Sequence, residues 1–141
     1  ADPVYNVVGV AHAGWRGSMN GILDATIEAM EDLGAKRNSI WAALGPCIRQ
    51  ISYEVGKEFK TKFTDANPSN ESFFRPAPRK HYAMFDLAGF IIERLNKLEV
   101  GYVEDTEIDT YTSPEEFFSY RRSKHRGERD YGRGLSVVIL K

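Results

Sequence analysis

Val7-Val8-Gly9-Val10-Ala11-His12-Ala13-Gly14-Trp15-Arg16-Gly17 is the stretch on which the reading of the fold turns. An apolar run ends at His12, and helical spacing begins near Ser18. A strand that opens into a helix is where α/β proteins place reactive groups, because the new helix offers unpaired N–H donors. Glycines let such a turn close tightly and let a ligand approach the backbone. An imidazole, an indole and a guanidinium stand together here: a metal-binding or proton-transfer group, a stacking surface and an anion clamp. The plainer reading is a tight turn with a packed indole, a half-buried His and a structural Arg.

Outward from this turn, Val4 to Ala11 reads as a buried strand. Met19, Ile22, Leu23, Ile27, Met30 and Leu33 recur at helical spacing, with Ser18 as N-cap and Gly34 just past the end. Ile40 to Leu44 reads as a second buried strand. Val55 to Phe63 reads as an amphipathic helix with Val55, Phe59 and Phe63 inward. Thr64 to Lys80 is polar, contains Pro, and reads as a long loop. Asp86 caps a helix with Leu87, Phe90, Ile91, Leu95 and Leu98 on one face. Val103 to Asp109 has a strand pattern. Ser113-Pro114-Glu115-Glu116 spells a capping box for a short helix bearing Phe117 and Phe118. Ser123 to Arg133 reads as a charged loop and Leu135 to Leu140 as a last apolar strand. The mixture of strands and helices is α/β or α+β.

Composition sets the frame. The chain has 141 residues, 42% hydrophobic and 28% charged, with a formal net charge of −1. That is the size of one domain able to bury a core. It gives no overall pull toward nucleic acid or membrane. The apolar runs are too short to span a bilayer. One cysteine excludes an internal disulfide framework, and a reducing cytoplasm is the expected location. Ala1-Asp2-Pro3 leads almost directly into the first apolar run, a start that suggests a fragment.

Three constellations could carry chemistry. Around His12, Arg16 beside a helix start is an anion site, and Trp15 could stack on a base or sugar. At Gly45-Pro46-Cys47, a thiol past a strand end could be reactive, or could be a small buried hydrophobe. At Phe118-Ser119-Tyr120-Arg121-Arg122, adjacent arginines could clamp phosphate, or could lie on a solvated edge. His81 and His125 sit in charged stretches and are set aside as ligands. No His-x-x-x-His or Cys-x-x-Cys spacing occurs. Three histidines and one cysteine cannot build a multicopper site within this chain.

In combination, His12-Ala-Gly-Trp-Arg-Gly, Leu44-Gly-Pro-Cys-Ile with Ser52-Tyr-Glu-Val-Gly, Phe117-Phe-Ser-Tyr-Arg-Arg and Gly132-Arg resemble the laccase-domain family. It is also called the multicopper polyphenol oxidase family, and its members are now regarded as purine nucleoside phosphorylases. The motifs follow in order along essentially the whole chain. The resemblance implies an α+β fold, a mixed β-sheet sandwich with helices outside, layered α/β/β/α and similar to a deamidating-toxin cysteine hydrolase. It implies one laccase-like domain over 1–141 that lacks the family's N-terminal portion. That portion carries a His and a Cys that join the His of the turn as zinc ligands, so only His12 is present here.

The implied activity is phosphorolysis of adenosine, guanosine, inosine and methylthioadenosine, with adenosine deamination, assisted by zinc. Small-molecule substrates are implied, purine nucleoside and phosphate, and neither nucleic acid nor membrane. His12, Arg16 and Cys47 are the expected catalytic residues. Trp15, Tyr53, Ser119, Tyr120, Arg121 and Arg122 are the expected substrate contacts. The alternatives are copper-dependent phenol oxidation, a Cys-His hydrolase, and a binding module with a vestigial site. Tyr111-Thr112 stands where relatives often have Cys-Thr, a difference expected to alter pocket shape.

Overall fold

The computed structural model describes residues 1–140. In chain order the elements are α1 (Trp15–Met19), α2 (Ile22–Asp32), β1 (Trp41–Leu44), β2 (Glu54–Gly56), α3 (Lys57–Ala66), β3 (Phe74–Pro76), β4 (Tyr82–Phe85), α4 (Leu87–Lys97), β5 (Tyr102–Asp105) and α5 (Tyr120–His125). The fold is mixed α+β, with one small parallel sheet, one small antiparallel sheet and helices. It divides into two compact units. The first holds Ala1–Leu44, Gly89–Thr106 and the chain from Ser136; the second holds Gly45–Ala88 and Glu107–Leu135.

In the first unit β1 and β5 pair in parallel, Trp41 opposite Tyr102 through Leu44 opposite Asp105. Trp41 and Tyr102 meet across the strands with ring centroids 5.6 Å apart. Gly101 sits where no side chain fits. A Cβ there would lie 2.1 Å from the Asn38 carbonyl oxygen, and the Gly101 N–H donates to the Arg37 carbonyl at 2.9 Å. Leu23, Ile27 and Met30 give α2 its buried face. Gly34, at φ 102°, ends it as expected, with N–H bonds from Gly34 to Glu31 and from Ala35 to Met30 closing the last turn. Helix α4 closes in the same way through Glu99, at φ 60°. A β-carbon disfavours that conformation by about 1–2 kcal/mol.

Asp2 holds the start of this unit. It is fully buried. Its Oδ1 accepts from the Val4 and Tyr5 N–H groups at 3.0 and 3.1 Å. Its Oδ2 accepts from the Lys36 N–H at 2.9 Å and from the Ser39 hydroxyl. Burial pushes this carboxyl up, but the bonds from Ser39, Lys36, Tyr5 and Val4 outweigh burial and hold it below the usual carboxylate range.

In the second unit the sheet order is β2-β4-β3, antiparallel throughout. Its core is aromatic. Phe63 of α3 and Phe85 of β4 are wholly buried, with centroids 4.7 Å apart. Phe74 stacks on Phe85 at 4.8 Å, and Phe59 meets both Phe63 and Phe85. Offset and edge-on ring pairs of this kind add to the stabilisation from burial itself.

Several expectations are corrected. Val4 to Ala11 is not a buried strand. Asp2 and Val7 close a short turn by an antiparallel bridge, and Val4 and Val10 are about two-thirds exposed. An apolar run becomes a strand only where a neighbour takes its hydrogen bonds, and among the described residues Asp2 does so for Val7 alone. The helix expected from Ser18 is two helices, broken at Gly21, which adopts φ 88°. Ser18 is buried, and its hydroxyl donates to the Ala13 carbonyl.

Val55 lies in β2, and the helix begins only at Lys57. The loop expected over Thr64 to Lys80 contains the end of α3, a 3₁₀ turn at Pro68–Phe73 and β3. The capping box at Ser113 closes only a turn, through the Phe117 N–H to the Ser113 carbonyl. The helix lies further on, at α5, capped by Ser119. Leu135 to Leu140 forms no strand, and Leu135 and Ile139 are exposed. The helix after Asp86 is as expected.

Phe63→Ala should lower stability by about 3–5 kcal/mol, because a wholly buried ring leaves a cavity; urea unfolding measures it. Glu99→Gly should raise stability by about 1 kcal/mol, because it removes the left-handed strain. Asp2 sets an acid limb. Its depressed value means that its contribution is complete above the ordinary carboxylate value of 3.8 and is lost as pH falls below it. Asp2→Asn should be less stable at neutral pH and show a flatter acid limb. An unchanged limb in that variant would remove Asp2 as its source.

Candidate functional site

The His12 turn is built from glycines and short contacts. Gly9 passes close to α2, where a Cβ would meet the Met30 sulfur at 2.8 Å. Gly14 is the N-cap of α1, with φ −66° and ψ 165°. A Cβ on Gly14 would come 2.9 Å from His12 Nε2, so the imidazole lies directly against this backbone. Gly17 faces the His12 carbonyl and Ile22 in the same way. His12 and Arg16 are exposed, and the Arg16 guanidinium lies 5.0 Å from the centre of the Trp15 ring. The turn therefore brings together three of the expected residues, His12, Trp15 and Arg16. The helix that follows has only five residues, so the anion-attracting element of this turn is the side-chain cation.

The other expected residues lie in the second unit. Cys47 is half-buried. Its N–H donates to the Ile108 carbonyl, and its carbonyl accepts from the Thr110 N–H, so it forms a parallel bridge with Asp109. Tyr53 is buried, and burial pushes its hydroxyl up while the positive charge of Arg121 acts against the shift. The Arg121 guanidinium lies 5.0 Å from the Tyr53 ring centre, and its Nη1 donates to the Glu54 carbonyl at 2.6 Å. Ser119 is buried and accepts from the Arg122 N–H as the N-cap of α5. Tyr120 is exposed and meets Tyr131 edge-on at 4.9 Å.

Arg122 is the tied member of the arginine pair. Its two terminal nitrogens donate to the carbonyls of Thr110, Tyr111 and Phe117. Three hydrogen bonds from its fixed fork are here turned onto the backbone and hold the segment ahead of α5. By contrast, the Arg16 side chain has no hydrogen bond or ion pair to a described residue, only its contact with Trp15.

Two arrangements are absent from the reading of the residues. The Asp109 carboxylate accepts from the Ser52 hydroxyl at 2.6 Å and from the Tyr111 N–H at 2.8 Å. The second bond is an Asx turn, and Asp109 two places before Tyr111 is its only signal in sequence. The Tyr111 hydroxyl meets His125 Nδ1 at 2.9 Å. Nothing in the local sequence around His125 announces that partner.

Among the described residues, no three His, Cys, Asp or Glu side chains converge so that they could hold a metal ion. His12 offers one imidazole, and the described residues by themselves do not fit a zinc centre, which takes three or four donors. Among the described residues no helix is long and apolar enough to cross a membrane.

The chain is similar to known proteins. The family described as multi-copper polyphenol oxidoreductase laccase matches residues 1–141. A purine nucleoside phosphorylase of Rickettsia prowazekii is 36% identical over 135 residues, covering 96% of this chain and 55% of that protein. Purine nucleoside phosphorylase YfiH of Escherichia coli is 35% identical over 120 residues, covering 85% of this chain and 47% of its own. Among solved structures, a Neisseria meningitidis protein superposes with a TM-score of 0.71 at 33% identity, covering 79% of this chain and 45% of that one. Bacillus licheniformis YfiH superposes with a TM-score of 0.76 at 26% identity, covering 87% and 47%. The chain spans about half the length of the curated relatives it matches. With a match along its full length and relatives above 30% identity, this chain belongs to the multi-copper polyphenol oxidoreductase laccase family.

Proposed function

We propose that the protein cleaves purine nucleosides with inorganic phosphate, releasing the base and ribose 1-phosphate. The observation that carries this reading is the exposed His12–Arg16 turn, in a chain 36% identical to a purine nucleoside phosphorylase. In this reaction the bond between the sugar C1′ and the purine nitrogen breaks and its electron pair leaves with the base. A phosphate oxygen bonds to C1′, and the base takes up a proton. The transition state is sugar-cation-like, so a positioned phosphate anion stabilises it electrostatically.

Arg16 is the anion clamp of this reading, because its guanidinium is exposed and turned onto no described carbonyl or carboxylate. Arg122 is a scaffold residue, because its donors hold three carbonyls. His12 flanks Arg16 as the proton-handling or metal-binding imidazole, and Trp15 gives a stacking face. By family resemblance Cys47 is assigned to the catalytic residues, and Tyr53, Ser119, Tyr120 and Arg121 to the nucleoside contacts. Zinc belongs to the proposal by family resemblance, with His12 as the one donor that this chain is expected to give it. No chemical step here is derived through it. Adenosine deamination is the second reaction assigned to the same site.

The test incubates adenosine and inosine with and without inorganic phosphate, using this chain and this chain joined to a relative's N-terminal portion. Free base and ribose 1-phosphate that form only with phosphate and vanish in His12→Ala are the expected products. Inosine formed from adenosine without phosphate marks the deaminase activity. Phenol oxidation with no nucleoside turnover would overturn the reading. Arg16→Ala should raise the KM for phosphate about 10- to 100-fold, the loss of one charge-assisted hydrogen bond; an unchanged KM rejects Arg16 as the clamp. Arg122→Ala should register in stability, at about 1–3 kcal/mol for the carbonyls it leaves without a donor.

A further inference from the structure

The second unit carries a hollow of about 280 Å³ that shares no residue with the His12 turn. Its cationic lining comes from three places: Lys57 and Lys60 on α3, Arg75 on the edge strand β3, and His81 in the turn between β3 and β4. His81 takes φ 67° in that turn. One carboxylate, Glu71, also lines the hollow, and it pairs with Lys60 at 2.6 Å. Lys57, Arg75 and His81 have no side-chain hydrogen bond or ion pair to a described residue. Lys57, Lys60 and Arg75 therefore set three positive charges against one carboxylate, in a chain whose overall formal charge is −1.

The rest of the wall is apolar. Phe74, Pro76, Tyr82 and Ala83 line it. Tyr82 is backed by the Arg79 guanidinium, 3.2 Å from its ring centre, and Arg79 is itself paired with Glu54 at 2.8 Å. Glu71 offsets one of these charges, Lys57 and Arg75 are left repelling each other, and an anion of charge near −2 relieves that repulsion. A guanidinium fork suits two phosphate oxygens, and ammonium groups add point charges around it. The apolar wall suits an uncharged organic group joined to the phosphate rather than the bare ion. We propose that this hollow binds a phosphate monoester, with Arg75, Lys57 and His81 on the phosphate and the wall at Phe74 and Tyr82 against the remainder. The site does not depend on the phosphorolysis reading.

The experiment is calorimetric titration of the full chain with phenyl phosphate, inorganic phosphate and phenol. Phenyl phosphate should bind the hollow saturably, several-fold tighter than inorganic phosphate binds there, and phenol should not bind. Lys57→Gln with Arg75→Gln should weaken phenyl phosphate at least tenfold with an unchanged far-ultraviolet circular dichroism spectrum, whereas Arg16→Ala should leave it as it is. If the double variant does not fold, Arg75→Lys, which keeps the charge and removes the fork, should still weaken binding several-fold. Absence of saturable binding overturns the proposal. Loss in Arg16→Ala with retention in the double variant overturns it too, by assigning the anion to the His12 turn. Equal affinity for phenyl phosphate and inorganic phosphate overturns the monoester assignment.

Discussion

The Asp2 carboxylate is the constraint on which the first unit rests. It is wholly buried, and it is satisfied by three backbone N–H groups and one hydroxyl rather than by a cation. A buried charge is tolerated when its lone pairs are filled in this way. The consequence is positional. Residues 2–7 are bent into a turn and tied to Lys36 and Ser39, just ahead of β1. The chain then leaves Val7 toward His12 along a defined path, and Gly9 lets it pass close to Met30. The His12 turn owes its place to a carboxylate ten residues away.

The second unit has a different basis. Its core is a stack of rings around Phe63 and Phe85, and its polar segment ahead of α5 is held by Arg122. The two neighbouring arginines thus divide their work. Arg121 rests on the Tyr53 ring and one carbonyl, while Arg122 replaces the missing backbone ladder for three carbonyls. In sequence they are the same residue type side by side. Only the direction in which α5 carries each side chain separates them.

Glycine spacing in the His12 motif has a physical reading that goes beyond turn formation. Gly14 leaves room for the His12 ring, and Gly17 leaves room for the His12 carbonyl and Ile22. The motif packs an imidazole against bare backbone while its guanidinium stays in solvent. That arrangement keeps His12 and Arg16 available to a ligand on the same short turn.

The sequence by itself determined the mixture of strands and helices, the helix after Asp86, the Gly34 cap and the motifs whose family resemblance implies the α+β class, because each is written in local spacing or in a contiguous string of side chains. It also located His12, Trp15 and Arg16 together, since neighbours in a tight turn remain neighbours in space. Tertiary structure decided the rest. Whether Val4 to Ala11 and Leu135 to Leu140 are strands depends on partners that hydropathy does not name, and among the described residues neither run lies in a sheet. The role of Arg122, the Tyr111–His125 pair and the cationic hollow between α3 and β3 all join residues that no helical or strand repeat brings together. Such contacts are set by long-range packing, which no local pattern of residues encodes.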